Sequence, residues 1–134
     1  MSRESTKAWL DSALADLKSI EYILEDEFLT HIVAFHGQQC VEKCFKAILE
    51  NIAERVPKEH STLKLYGLVK QNLPEGIDID LLTDLDDLYI DSRYPGEFGL
   101  LPHGKPTLEE AREFYEFAHF VFDRTCKTLD IEIG

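Results

Sequence analysis

The stretch Thr30–Arg55, THIVAFHGQQCVEKCFKAILENIAER, decides how the rest of this 134-residue chain is interpreted. At 3.6 residues per turn, its apolar positions cover close to half of a helical circumference. Those positions are Val33, Gly37, Cys40, Val41, Cys44, Phe45, Ile48 and Ile52. A surface helix usually carries a narrower apolar stripe, so the pattern predicts a central helix with neighbours on more than one side.

One edge of this helix carries a polar seam, which consists of His36, Gln39 and Lys43 at spacings of three and four. Residues at these spacings are neighbours on the helix surface. Together they could hold a phosphate or a base through an imidazole, an amide and an ammonium group. The alternative is a polar margin where the helix leaves the core, with the Lys43 stem covering apolar surface.

The flanking segments have helical periodicity, and none has a convincing β-strand pattern. A first helix is predicted over Glu4–Glu27, Thr30 is expected to cap the central helix, and Pro57 ends that helix near Arg55. Three more helices are predicted after it: a short one capped by Ser61 or Thr62, one from Asp78 or Asp80 to about Arg93, and a capping-box helix over Leu108–Leu129. The fold class is therefore all-α, an up-and-down helical bundle of four main helices plus one short helix, in a single domain over residues 1–134.

Composition restricts the classes of function. The formal net charge of −12 argues against a grip on long nucleic acid through phosphates alone, so any such contact needs a local patch. No apolar run approaches a membrane span and the N-terminus lacks a signal-peptide core, which predicts a cytoplasmic protein without membrane contact. The three cysteines are expected to be reduced thiols, and we expect no metal and no cofactor.

The end of the fourth helix is the second candidate site. Asp86, Tyr89 and Arg93 share one helix face, and the proline- and glycine-rich loop from Tyr94 to Pro106 follows. At this position Arg93 could bind a phosphate bidentately, and His103 could exchange a proton near neutral pH. The structural alternative places Arg93 at the helix C-terminus, paired with Asp86.

Three segments together resemble the HEPN domain family of small helical nucleotide-binding and toxin-type proteins. They are AFHGQQCVEKCFKAIL (34–49), EHSTLKLYGLV (59–69) and DLYIDSRYPGE (87–97). The resemblance implies a helical bundle that forms a homodimer and acts with a minimal nucleotidyltransferase in a toxin-antitoxin-like module. Many members cleave RNA without metal through a closely spaced arginine and histidine, whereas nine residues separate Arg93 from His103 here.

Three hypotheses follow. The first is a homodimer that binds a nucleotide or RNA through His36, Gln39, Lys43, Tyr89, Arg93 and Tyr94, in partnership with a nucleotidyltransferase. The second is a metal-independent ribonuclease that uses Arg93 and His103. It requires a local positive groove around Lys43, Arg93 and Lys105. The third is an interaction module without ligand, whose acidic face binds a basic protein. Whether the protein is an enzyme stays open at this stage.

Overall fold

The computed structural model describes residues 3–52, 55–73, 76–93 and 105–133, and the side chains of residues 90–93 lie outside that description. Within these ranges the chain forms α-helices and two 3-10 turns, Glu27–Leu29 and Lys70–Asn72, and no strand. The α-helices are α1 (Arg3–Ile23), α2 (Thr30–Asn51), α3 (Thr62–Val69), α4 (Ile79–Arg93) and α5 (Leu108–Leu129). The predicted fold class, an all-α bundle with four main helices and one short helix, is confirmed.

α2 is the central helix, as its broad apolar arc predicted, because it packs against α1, α3, α4 and α5. Its glycine lies at the closest approach of two neighbours. A Cβ on Gly37 would lie 3.6 Å from Leu85 of α4 and 3.8 Å from the Phe114 carbonyl oxygen of α5. Ile52, which we assigned to the apolar face, is 37% exposed, because α2 ends one residue before it. Pro57 therefore sets only an upper limit on the helix end.

α1 and α2 form an antiparallel hairpin. Trp9, early in α1, lies under the Lys46 ammonium late in α2, with 5.6 Å between the nitrogen and the ring centroid. The connection contains a 3-10 turn, which begins where the Asp26 side chain accepts a 2.9 Å hydrogen bond from the Phe28 backbone N–H. α1 therefore ends at Ile23, four residues before the predicted Glu27.

The prediction that Thr30 caps α2 is wrong. Thr30 has helical backbone angles, φ −60° and ψ −32°, whereas a capping residue needs extended ones. The preceding 3-10 turn runs directly into α2, so Leu29 takes the position before the helix and makes no side-chain cap. The Thr30 hydroxyl is buried without a hydrogen-bond partner.

The other predicted helix starts are confirmed. The Ser61 hydroxyl accepts from the Lys64 backbone N–H at the start of α3. The Asp78 carboxylate accepts from two backbone N–H groups in the first turn of α4, at 3.0 and 3.2 Å. Thr107 and Glu110 form a complete capping box at the start of α5.

α5 closes the bundle by running antiparallel to α1. The Arg3 guanidinium donates to the carbonyl oxygens of Leu129 and Asp130, at 3.2 and 2.9 Å, which ties the start of α1 to the end of α5. At the other end of the pair, the Tyr115 hydroxyl donates to Glu21 at 2.9 Å. None of the helices in the described ranges combines the length and the apolar character needed to cross a bilayer.

Candidate functional site

The polar seam of α2 faces α1, where one buried carboxylate holds two of its three members. The Asp16 side chain is 9% exposed. Its Oδ1 lies 2.9 Å from His36 Nδ1, and its Oδ2 accepts a 2.8 Å hydrogen bond from Lys43 Nζ. We call Asp16, His36 and Lys43 the Asp16 cluster. The side chains of His36 and Lys43 are 26% and 21% exposed, so both are held by a buried carboxylate and still reach solvent.

Gln39, the third member of the seam, belongs to a second cluster built on the buried Glu42. The Glu42 carboxylate accepts from Lys46 Nζ at 3.0 Å and from Gln39 Nε2 at 3.4 Å, and it lies 3.3 Å from His60 Nδ1. The fully buried Gln38 donates to Glu42 at 3.2 Å and to the His60 carbonyl oxygen at 2.6 Å. These five residues, which we call the Glu42 cluster, tie α2 to the segment before α3.

Four rings connect the two clusters. Tyr89 of α4 stacks on Phe35 of α2, with centroids 5.7 Å apart and planes 16° from parallel. Phe35 meets the His36 ring edge-on at 5.5 Å, and Tyr89 lies 6.0 Å from the His60 ring. We call His36, Phe35, Tyr89 and His60 the aromatic row. Each end of the row is a histidine that a buried carboxylate holds in place.

Asp86 serves the fold. Its carboxylate accepts from the Ser61 hydroxyl at 2.9 Å, from the Thr62 backbone N–H at 2.8 Å and hydroxyl at 2.7 Å, and from the Leu63 backbone N–H at 3.1 Å. It therefore caps α3 from the side of α4. This contact also holds the α4 turn that precedes Tyr89 against the start of α3.

Part of the predicted site lies outside the described residues, namely the side chain of Arg93 and the whole of Tyr94 and His103. The backbone of Arg93 ends α4, one turn beyond Tyr89. The ligand-binding role of Arg93 and Tyr94 and the catalytic pair of Arg93 with His103 therefore stay predictions.

The structure does not gather the lysines of the predicted positive groove. Lys105 Nζ donates to the Phe28 carbonyl oxygen at 3.2 Å and lies 4.7 Å from the centroid of that ring. Phe28 lies two residues before the start of α2, whereas Lys43 lies about 20 Å further along the helix axis. Lys43 and Lys105 therefore do not meet within one protomer, and a groove that also contains Arg93 stays a prediction.

Among the described residues, the site has little spare positive charge. The carboxylates of Asp16 and Glu42 are matched by the ammonium groups of Lys43 and Lys46, at 2.8 and 3.0 Å. The Glu42–Lys46 pair is 6% exposed on both sides, and breaking such a buried pair typically costs about 3–5 kcal/mol. Both lysines are thus already engaged, and an anionic group would need a further cation.

The cysteines contribute no chemistry to this site. All three are free thiols, as expected, although Cys126 is only partly buried. Burial raises the pKa of the Cys40 thiol well above its ordinary value, and burial with the nearby Cys44 and Asp123 raises the pKa of Cys126 to about 12. A protonated thiol is a poor nucleophile and a poor metal ligand. Among the described residues, no group of three acidic, histidine or cysteine side chains could hold a metal ion.

An open groove of about 920 Å³ lies elsewhere, between the start of α1 and the chain after α5. Lys7 and Asp11 line one side, and Asp123, Lys127 and Ile131 line the other. No residue of the Asp16 cluster, the Glu42 cluster or the aromatic row contributes to it. We therefore place the candidate site at the two clusters, where polar and aromatic groups converge.

Sequence reasoning missed three residues that organise the site. Asp16 interrupts the apolar stripe of α1 between Ala13 and Ile20, and a charged residue at a core position was the available signal. Phe35 borders the apolar arc of α2 and showed no such signal. His60 stands outside any helix, and only the tertiary structure brings it to Glu42 and Tyr89.

These features define a class of protein: a small α-helical bundle whose central helix carries two carboxylate-anchored polar clusters beside an aromatic row. The HEPN domain model matches residues 6–129, nearly the whole chain, and the protein belongs to the HEPN domain family. The resemblance stated from the sequence is thereby confirmed.

The fold is also similar to a solved structure, the crystal structure of TT1696 from Thermus thermophilus. The TM-score is 0.66 with 23% sequence identity, over 92% of this chain and 97% of that chain. At this identity the similarity concerns the fold. Among curated proteins, none matches the chain significantly.

Proposed function

We propose that this protein binds a nucleotide or a short RNA segment across the aromatic row, next to the Asp16 cluster. The observation that carries the proposal is the Tyr89–Phe35 stack, flanked on both sides by a histidine that a buried carboxylate orients. Aromatic faces stack on any base, and oriented imidazoles exchange hydrogen bonds with base or ribose groups. Tyr89 is only 9% exposed, so the partly exposed Phe35, backed by Tyr89, is the ring on which a base would stack. His60 is 54% exposed and His36 26%, so a ligand can reach both ends of the row.

Arg93 is the phosphate-binding residue in this proposal. Lys43 and Lys46 are paired with carboxylates, and the chain as a whole carries a charge of −12. A phosphate therefore gains little from the described lysines or from long-range attraction. Arg93 follows Tyr89 by one helical turn, and a guanidinium binds phosphate bidentately. A short ligand with few phosphates suits this charge distribution better than long nucleic acid.

Family membership supports the rest of the proposal. We propose that the protein acts as a homodimer and that its protein partner is a minimal nucleotidyltransferase, in a toxin-antitoxin-like module. Ribonuclease activity of Arg93 and His103 would show as metal-independent cleavage, and an interaction module would capture a partner regardless of nucleotide. Both are outcomes of the experiment below.

Isothermal titration calorimetry with the four ribonucleoside triphosphates and a short single-stranded RNA tests the proposal. Binding should weaken about tenfold or more in Phe35→Leu and Arg93→Ala, because a stacked base contributes about 1–3 kcal/mol and a charged hydrogen bond about 1.5–3 kcal/mol. Phe120→Leu is the matched control, since Phe120 is a partly buried aromatic residue of α5 that contacts Arg124. This control should bind like the wild type.

The proposal is contradicted if no nucleotide and no RNA gives heat, or if Phe120→Leu and Phe35→Leu lose affinity equally. RNA incubated with the protein in chelator distinguishes binding from cleavage. Cleavage that disappears in Arg93→Ala and His103→Ala would establish the ribonuclease hypothesis instead. Stable capture of one basic protein, unaffected by nucleotide or by Arg93→Ala, would favour the interaction module.

A further inference from the structure

We propose that Asp16 is a positioning residue that makes the outer nitrogen of His36 a hydrogen-bond acceptor, so that the ligand must present a donor group there. This inference rests on the proposed function and narrows it. It assigns the His36 end of the aromatic row to a ribose hydroxyl or an exocyclic amino group of a base. While the imidazole is neutral, a phosphate oxygen, which only accepts hydrogen bonds, is excluded from that position.

The hydrogen bonds of Asp16 determine which nitrogen of His36 carries the proton. Asp16 Oδ2 accepts from the Lys43 ammonium at 2.8 Å, and Oδ1 lies 2.9 Å from His36 Nδ1. An ionised carboxylate only accepts, so Nδ1 must donate its N–H to Asp16. In the neutral imidazole, Nε2 then carries the lone pair. A buried carboxylate that orients a histidine in this way is a recurring device in catalytic and metal sites.

The acceptor nitrogen faces outward. In the part of the chain that the structure describes, His36 Nε2 makes no hydrogen bond, and it does not belong to the buried unpaired atoms. About a quarter of the His36 side chain is exposed. Rotation of the imidazole is restricted by its hydrogen bond with Asp16 and by the edge-on Phe35 ring at 5.5 Å. A neutral Nε2 in this position repels phosphate oxygens, which only accept hydrogen bonds, and attracts hydroxyl and amino groups.

The first test measures the tautomer and needs no ligand. Long-range ¹H–¹⁵N spectra above about pH 8, where an ordinary histidine is neutral, should show the His36 proton on Nδ1. In Asp16→Asn the new amide oxygen stays with the Lys43 ammonium, because two donors would repel each other. The amide NH₂ then faces Nδ1, and the proton should move to Nε2. Circular dichroism verifies that the variant is folded.

Asp123→Asn is the matched control. The pair of His119 and Asp123 on α5 has the same chemistry at 3.1 Å, but its side chains are 47% and 52% exposed and lie outside the site. This variant should leave the His36 signals unchanged. A His36 proton on Nε2 in the wild type would overturn the inference even if Asp16→Asn failed to fold. An unchanged tautomer in folded Asp16→Asn would overturn it as well.

The second test concerns the donor and compares AMP, 2′-deoxy-AMP and IMP by calorimetry above about pH 8, the range in which the first test determines the tautomer. The wild type should bind AMP about fivefold more tightly than the analogue that lacks the donor, 2′-deoxy-AMP if the ribose supplies it and IMP if the base does. The Asp16→Asn variant should lose that preference, because His36 Nε2 would then carry a proton and could not accept a hydrogen bond. Equal binding of all three by the wild type would overturn the donor assignment. If no nucleotide binds, the proposed function fails, while the tautomer still decides the role of Asp16.

Discussion

Replacing Asp86 by alanine should destabilise the bundle by about 3 kcal/mol, because one side chain holds the start of α3. Its carboxylate accepts four hydrogen bonds from residues 61–63, between 2.7 and 3.1 Å. Hydrogen bonds to a charged group contribute about 1.5–3 kcal/mol each. The total is far below their sum, because the bonds share one carboxylate and the exposed Leu63 backbone N–H can bind water instead.

Urea unfolding followed by far-UV circular dichroism measures this change, and thermal unfolding provides a second estimate. With an unfolding entropy of about 2 cal/mol/K per residue, a loss of about 3 kcal/mol lowers the Tm of a chain this size by about 10 °C. Asp84→Ala is the control, since Asp84 is an exposed acid two residues earlier on α4. Partial burial and its neighbours Asp87 and Asp80 raise the pKa of Asp84, so removing its charge relieves repulsion.

The reasoning requires the two variants to differ. Asp84→Ala should be as stable as the wild type or slightly more stable. If Asp86→Ala lay within about 0.5 kcal/mol of the wild type, the assignment of Asp86 as the cap of α3 would be refuted, since such a small change is typical of an uninvolved surface residue.

Three further changes have definite expectations. Thr107→Ala removes the capping box of α5 and should lower the unfolding free energy by about 1 kcal/mol in urea. Gly76→Ala should lower the unfolding free energy by about 1–2 kcal/mol in the same urea titration, through backbone strain at φ +113°. Crowding is not the cause, since the added Cβ would lie no closer than 3.9 Å to any neighbour. Gly67→Ala, at an uncrowded helical site, is the contrasting variant. Burial and the hydrogen bond to Glu21 raise the pKa of Tyr115 to about 12, so the stability it contributes is present below about pH 10 and is lost as pH rises through 12. An absorbance titration that follows tyrosinate formation should therefore lack its highest-pH step in Tyr115→Phe.

Local signals were sufficient wherever a helix start depends on its own residues. Ser61, Asp78 and Thr107 accept from backbone N–H groups at most three residues away. Thr107 was predicted outright, and Ser61 and Asp78 each as one of two candidates. Thr30 has the same capping chemistry and was predicted with the same rule, yet it lies inside α2. The difference comes from the 3-10 turn that Asp26 begins just before it, a competing local hydrogen bond that the capping rule ignores.

In the candidate site, too, local features were predictable and long-range contacts were not. His36, Gln39 and Lys43 were predictable as one strip of α2, since helical geometry alone places them together. Their hydrogen-bond partners were not predictable, because Asp16 is 20 residues away from His36 in sequence and His60 is 18 residues away from Glu42. Tyr89 was predicted as a ligand-binding residue, but its stacking on Phe35 across two helices depends on how α2 and α4 pack.

The amino-acid sequence by itself determined the number and order of the helices, the central position of α2 and the family, because apolar periodicity and short motifs are local properties of the chain. The tertiary structure alone decided which groups the polar seam of α2 contacts. Two seam residues share the buried carboxylate of Asp16, and Gln39 joins the Glu42 cluster, so the seam is anchored to the interior. The physical reason is that a buried carboxylate must find donors wherever packing places them, and packing brings together residues that lie far apart along the chain.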